Sequence, residues 1–237
     1  RGSREVGFYG AAFKFVEIAE FFIASIGTSV FPSFTRLIAE RDPRIRDAVR
    51  RSIDVVAAVG APIVLLMLLM PRQIIELTAG AEFAAAAPVL RLLAPYLALL
   101  FLSGMLLRVL GAAHQDRLLL RVAIVVLVLN VGLNLALLPI YGYRVAALTS
   151  LASELVVVGT TLLAVRRALG FLPDVRYLRV VAVASGVMVG VFMALSGSPW
   201  LAAAVSVAAY VTIVSVVPGT VRDVLTALLP RRRAASP

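Results

Sequence analysis

The amino-acid sequence predicts an all-α, polytopic transmembrane helix bundle of about seven spans. Three observations carry that reading. The 237 residues are 61% hydrophobic and only 15% charged, whereas a soluble domain is about half apolar and about a quarter charged. Mean hydropathy is +0.99. The apolar residues also form long continuous runs, without the period-two alternation of a barrel strand, and helices are the remaining way to satisfy backbone polar groups in lipid.

Crossing a hydrocarbon core of about 30 Å takes about 20 apolar residues, and seven stretches come near that length. The first, 8–34, closes at the arginine-rich segment TRLIAERDPRIRDAVRRS. Pro43 suits a first helical turn, so this segment reads as a polar extension of the second helix. The second span, 53–72, stops at Pro71, and the third, 88–110, runs from Pro88 to Gly111. The fourth and fifth, 119–139 and 145–165, are separated by Pro139 and Gly142. The sixth and seventh, 178–196 and 200–217, are set off by Gly170, Pro173, Gly197, Pro199 and Pro218. No connecting segment is long enough for a soluble domain.

The net charge of +10 is distributed by loop. Arg36, Arg41, Arg44, Arg46, Arg50, Arg51, Arg108, Arg117, Arg121, Arg166, Arg167, Arg176, Arg179, Arg222, Arg231, Arg232 and Arg233 alternate onto one side. Only Arg1, Arg4, Arg72 and Arg144 fall on the other, a split of 17 to 4 among 23 basic residues. This is a positive-inside pattern, with the N-terminus of the chain outside and a basic tail in the cytoplasm. The charge is accounted for by orientation and attraction to anionic membrane lipids, and it gives no case for nucleic-acid binding. Cysteine is absent, so there is no disulfide framework or thiolate metal site. The chain starts without Met, close to its first apolar helix, and reads as the C-terminal part of a longer protein.

Ionisable groups at membrane depth are expensive and face a cavity or a partner. Lys14, Glu17 and Glu20, spaced three apart, fall within a sector of about 120°. Lys14 and Glu17 suit an ion pair along the helix, which leaves Glu20 without a local partner. The three are either a self-neutralised pair plus a snorkelling carboxylate, or the wall of a water-filled cavity. Asn130 and Asn134 share one face of the fourth span, where amides serve as interhelical glue. Glu154 lies near the middle of the fifth span, after Thr149, Ser150 and Ser153. It is either a neutral acid held by those hydroxyls or a proton- or cation-responsive group in a pathway. Arg91, near the outer end of the third span, is a candidate partner for Glu154 or for a substrate phosphate. By topology all seven lie between the midplane and the outer face, as the lining of a cavity open to one side would.

Other motifs are few. Gly186 and Gly190 form a GxxxG consistent with close helix contact. His114, the single histidine, reads as a solvated loop residue. No metal-ligand constellation, G-x-S-x-G, Walker loop or Rossmann glycine pattern is present. The reading is therefore no enzyme, no cofactor and no metal.

The stretch VGFYGAAFKFVEIAEFFIASIGTSVFPSFTRL resembles an element of oligosaccharide and polysaccharide flippases, where G-x-Y-x-x-A opens a helix ending in FP. TAGAEFAAAAPVLRLLAPYLALLFLSGMLLRVLGA is similar to their next G-x-x-F-x-x-A helix. Asn130, Asn134, Pro139, Tyr141, Gly142 and Glu154 resemble the family block N-x-x-L-N, P-x-x-G, A-A, E. These flippases, the polysaccharide biosynthesis proteins, belong to the multidrug/oligosaccharidyl-lipid/polysaccharide exporter superfamily. The resemblance covers most of 6–170. It departs at Val145, where the family has a glycine, implying a looser start to the fifth span.

The resemblance implies a division into 1–170, a C-terminal transporter lobe lacking its first helix, 171–221, an additional helix pair, and 222–237, a cytoplasmic basic tail. The first helix would be the eighth of fourteen. The implied function is alternating-access movement of an undecaprenyl-pyrophosphate-linked glycan across the bacterial cytoplasmic (inner) membrane. Lys14 and Arg91 would attract the pyrophosphate, and Glu20 and Glu154 would couple to protons or cations. Implied partners are the lipid-linked oligosaccharide, membrane lipids, and the glycan polymerase and glycosyltransferases of the same pathway. A peptidoglycan lipid II flippase and a cation-coupled multidrug antiporter remain open within the superfamily. A membrane glycan polymerase is disfavoured by short, nearly uncharged outer loops.

Overall fold

The computed structural model describes residues 3–142, 144–174, 176–195 and 197–216. The basic tail 222–237, residues 217–221 and Arg1 lie outside the described residues, as do the side chains of Arg4 and Arg144. Every described element is helical. The order is α1 (Ser3–Ala39), α2 (Ile45–Leu69), α3 (Pro71–Ala79), a 3-10 turn (Ala81–Ala86), α4 (Ala87–Ala112), α5 (Asp116–Tyr141), α6 (Arg144–Leu169), α7 (Leu178–Ala194) and α8 (Pro199–Val216). Among the described residues six stretches are long and apolar enough to cross a membrane: α1, α2, α4 with its 3-10 lead-in, α5, α6 and α8. The sixth expected span, α7, has 17 residues and so rises about 26 Å, slightly less than the hydrocarbon thickness.

Three boundaries differ from expectation, each for a local reason. The second span stops at Leu69, because Pro71 cannot continue a helix and pushes Met70 to an extended φ of −134°. Pro71 instead opens α3, with Pro71, Ile74 and Ile75 buried and Arg72 joined to Glu76 at 2.6 Å. A short helix, not a bare loop, therefore links α2 to α4. Pro43 does not enter α2 either. The turn is made by Arg41 at φ 51° and by Asp42, whose Oδ1 accepts the Arg44 N–H at 2.8 Å. Arg108, counted above with a loop, lies inside α4, which extends to Ala112.

The chain divides into two compact units, Arg1–Asp174 and Val175–Pro237. In the first unit α4 is the hub, packed against α1, α2, α3, α5 and α6. Leu90, Leu93, Leu97, Met105, Leu106 and Leu110 of α4 are fully buried. Gly60 lets α2 come close: a Cβ there would sit 2.4 Å from the Phe101 ring. At the start of α2, Arg46 lies over the Phe171 ring at 5.9 Å. α5 is the opposite case, with Val122 its one buried residue among those described. Its exposed Leu120, Ile124, Val128 and Leu135 suit a lipid-facing helix.

The second unit is the α7–α8 hairpin, in which Val181, Ala184 and Met188 are buried, as are Ala202, Ala203, Ser206 and Tyr210. The GxxxG expectation fails here. A Cβ at Gly186 or Gly190 would meet nothing within 4 Å, because both glycines lie off the buried face.

Candidate functional site

Side-chain contacts fix the register of the first unit. Tyr96 of α4 stacks on Phe13 of α1, with ring centroids 6.4 Å apart, and Arg108 of α4 reaches the Ala24 carbonyl of α1 at 3.3 Å. These pairs share nearly one sequence offset, so α1 and α4 run parallel. Asn130 of α5 meets Ser153 of α6, and Asn134 meets Thr149, so α5 and α6 run antiparallel. Glu20, Ser103, Asn130 and Glu154 therefore share one level.

At that level a cavity of about 530 Å³ opens between α1, α4 and α6, lined by Glu20, Ala24, Leu100, Ser103, Arg108 and Glu154, among others. Glu154 is 7% exposed, and its Oε1 accepts a hydrogen bond from the Ser103 hydroxyl. Glu20 is near enough to act on Glu154 electrostatically. One turn along, Arg108 donates to the Gly104 carbonyl at 2.8 Å and to Ala24. Its guanidinium occupies a notch left by Gly27, where a Cβ would fall 2.2 Å from Nε. Nearer the N-terminal ends of α1 and α4, Phe13 stacks on Tyr9 and on Tyr96, and Tyr9 hydrogen-bonds Ser150 of α6.

The remaining expected residues lie elsewhere. Lys14 and Glu17 pair at 3.2 Å and are 72% and 53% exposed, on the side of α1 opposite the buried Ala12 and Val16. Arg91 lies about 18 Å along α4 from Ser103 and donates to the Leu68 carbonyl at the end of α2. It is not the partner of Glu154. Asn130 donates to the Ser153 hydroxyl at 3.2 Å and accepts from Asn134 at 3.0 Å, while Thr149 donates to Asn134 at 2.8 Å. The hydroxyls expected beside Glu154 thus serve the asparagines and Tyr9, and Glu154 is served by Ser103.

Sequence reasoning missed Ser103, Arg108 and Asp54. Ser103 gave no signal, and Arg108 was counted with the basic loop residues although the expected span, 88–110, contained it. Asp54 was legible as a lone acid in an apolar run. It is 3% exposed, and its Oδ1 has no hydrogen-bond partner among the described residues. Among the described residues no three His, Cys, Asp or Glu side chains group as metal ligands.

The lobe-like unit built on a central helix, with its polar residues gathered at depth, agrees with the comparison of the sequence with protein families. The MatE family model matches residues 1–136. The chain belongs to the MatE family. This MatE protein is therefore a multi-pass membrane protein of a transporter family within the exporter superfamily named above. The match spans α1 to most of α5 and so includes Glu20, Ser103, Arg108 and both asparagines, while Glu154 lies beyond it. No curated protein matches the chain in sequence.

Proposed function

We propose that this MatE protein moves a lipid-linked oligosaccharide, an undecaprenyl-pyrophosphate-linked glycan, across the bacterial cytoplasmic membrane by alternating access. The single observation that carries the proposal is the exposed face of α1. Lys14, Glu17, Ser25, Thr28 and Ser29 lie along it, with the exposed Ile18 and Phe21 between the ion pair and the hydroxyls, opposite the stripe that packs on α4. The hydroxyls bond back to their own helix, Ser25 to the Phe21 carbonyl and Ser29 to the Ser25 carbonyl, each at 2.9 Å. An exposed ion pair is costly against lipid, and with the hydroxyls beyond it suits a wet path for sugar and phosphate. Lys14 supplies the cation that attracts pyrophosphate, and the lipid tail stays in the bilayer.

The arginine-rich end of the first unit, from Arg36 to Arg51 and at Arg117, Arg121, Arg166 and Arg167, would face the cytoplasm. Residues 1–170 form one transporter lobe and 171–221 an added pair in this reading, with polymerase and glycosyltransferases as pathway partners. One observation favours a second reading. Glu20 and Glu154 share a cavity, which suits a cation-coupled multidrug antiporter as well as an ion-driven flippase.

Complementation separates the two. The full-length gene in a bacterium lacking its own flippase is expected to restore surface polysaccharide. Drug resistance without restored polysaccharide would overturn the flippase assignment in favour of the antiporter.

A further inference from the structure

Among the described residues two acids are buried, Glu154 and Asp54, and of these Glu154 alone lines the cavity. Asp54, on α2, is 3% exposed, and its Oδ1 has no hydrogen-bond partner among the described residues. A buried charge is ordinarily paired, hydrogen-bonded or bound to a metal ion. Its own helix does not supply the partner. Arg50, one turn earlier on the same face, lies 3.8 Å from Asp47 instead, and no ion pair reaches Asp54 among the described residues.

The segment facing this part of α2 brings a second carboxylate. After α6, Gly170 takes φ 77°, and the chain then lies against the start of α2, with Arg46 over the Phe171 ring at 5.9 Å. Asp54 is eight residues further along α2 than Arg46, about 12 Å. The three residues from Phe171 to Asp174 cover nearly that distance when extended, about 10 Å. Asp174 is near enough to act on Asp54 electrostatically. A buried carboxylate without a donor thus faces another carboxylate, and such like charges repel unless something positive lies between them.

We propose that Asp54 and Asp174 hold an alkali-metal cation, which fastens the 170–174 connector to α2. Carboxylate oxygens suit a hard cation. The two acids together with Arg50 leave one negative charge, which a monovalent ion neutralises. Among the described residues no three acids group as a divalent ion would require, and magnesium gives up its waters reluctantly, which suits a buried oxygen poorly. The site is separate from the cavity. None of the described residues of α2 lines the cavity, and Asp54 lies about 9 Å along α2 from the Gly60 contact with Phe101. The ion is therefore a structural ligand of the first unit, and the inference does not rest on what the protein carries.

Melting of the purified full-length protein tests it, in chloride salts of choline, lithium, sodium and potassium at one pH and one ionic strength. Glu20→Gln with Glu154→Gln is the background, so that the cavity acids add no cation response. At least one alkali-metal salt is expected to raise the melting temperature over choline by about 4 °C or more. Asp54→Asn should remove that rise, and Asp174→Asn should increase the half-maximal ion concentration about tenfold, as for loss of one charged ligand. Asp47→Asn, outside the site, should keep the full rise. Magnesium chloride should do no more than choline.

A packing role for Asp54 would lower melting equally in every salt. An alkali-metal rise kept in full by Asp54→Asn overturns the proposal, as does the absence of any rise in the background. A rise with magnesium alone overturns it too. Where Asp54→Asn does not fold, Asp174→Asn decides, since an unchanged half-maximal concentration there is equally fatal. Melting needs no substrate, so a failure to restore polysaccharide sinks the glycan assignment and leaves the ion site standing.

Discussion

Helix α6 carries two polar faces at one depth, and they are built in opposite ways. Toward α5, Thr149, Asn134, Asn130 and Ser153 form a chain in which each polar side chain meets another across or along the interface. Toward α4 and α1, Glu154 has Ser103 as its partner, with Glu20 and Arg108 around an open cavity. The first face is closed on itself and ties two helices together. The second retains unspent charge and space. The contrast separates polar groups that hold a membrane bundle from groups available to a ligand.

The largest expected effect tests the open face. Glu154→Gln keeps the shape and the Ser103 contact but removes the ionisable group. Transport in the full-length protein should fall by about tenfold or more, as for loss of about 1.4 kcal/mol in the rate-limiting barrier, with membrane abundance unchanged. Wild-type transport would return Glu154 to packing.

The closed face should answer differently. Asn134→Leu removes two of the three bonds in the chain and should cost about 1–2 kcal/mol of stability, read as a lower melting temperature. Transport per folded molecule should be retained. A selective loss of transport would mean that the chain is not mere glue.

A comparison of glycines is the next test. Gly60→Ala drives a Cβ into the Phe101 ring and should cost about 1–3 kcal/mol, recovered in part by Phe101→Leu. Gly186→Ala meets open space and should stay within about 0.5 kcal/mol of wild type. Equal effects would refute the α2–α4 contact as the tighter one.

The smallest effect lies at the α1–α2 turn. Hydrogen bonding to the Arg44 side chain holds the Asp42 carboxyl below the usual carboxylate range. Because the folded-state value is lowered, its contribution is present above the ordinary carboxylate pKa and is lost as pH falls through the lowered value. Asp42→Asn should therefore slightly lower the neutral-pH melting temperature and flatten its acid dependence. An unaltered acid limb would show that the pair contributes nothing.

Much of the fold was legible because membrane helices are written in composition. The spans came from apolar runs and punctuating prolines, and the Lys14–Glu17 pair from local spacing. Asn130 and Asn134 were placed on one face, but not with Thr149 and Ser153. Pro71 was readable as a stop but not as the start of α3, since one residue serves both roles. The glycines misled: the GxxxG pair makes no close contact among the described residues, while Gly27 and Gly60, with no motif around them, seat Arg108 and Phe101. Whether a glycine is needed depends on what a neighbouring helix brings to it.

The sequence by itself determined a membrane bundle and the approximate positions of its spans, and it expected Glu20, Asn130 and Glu154 in one half of the bilayer together with Lys14, Glu17, Arg91 and Asn134, because burial in lipid and helical rise are local quantities. The tertiary structure alone decided that Glu154 belongs to Ser103, 51 residues away in sequence, that Arg91 belongs to Leu68, and that Arg108 lines the cavity and reaches the Ala24 carbonyl. The rotation of each helix about its axis is set by packing among several helices, and no single helix encodes it.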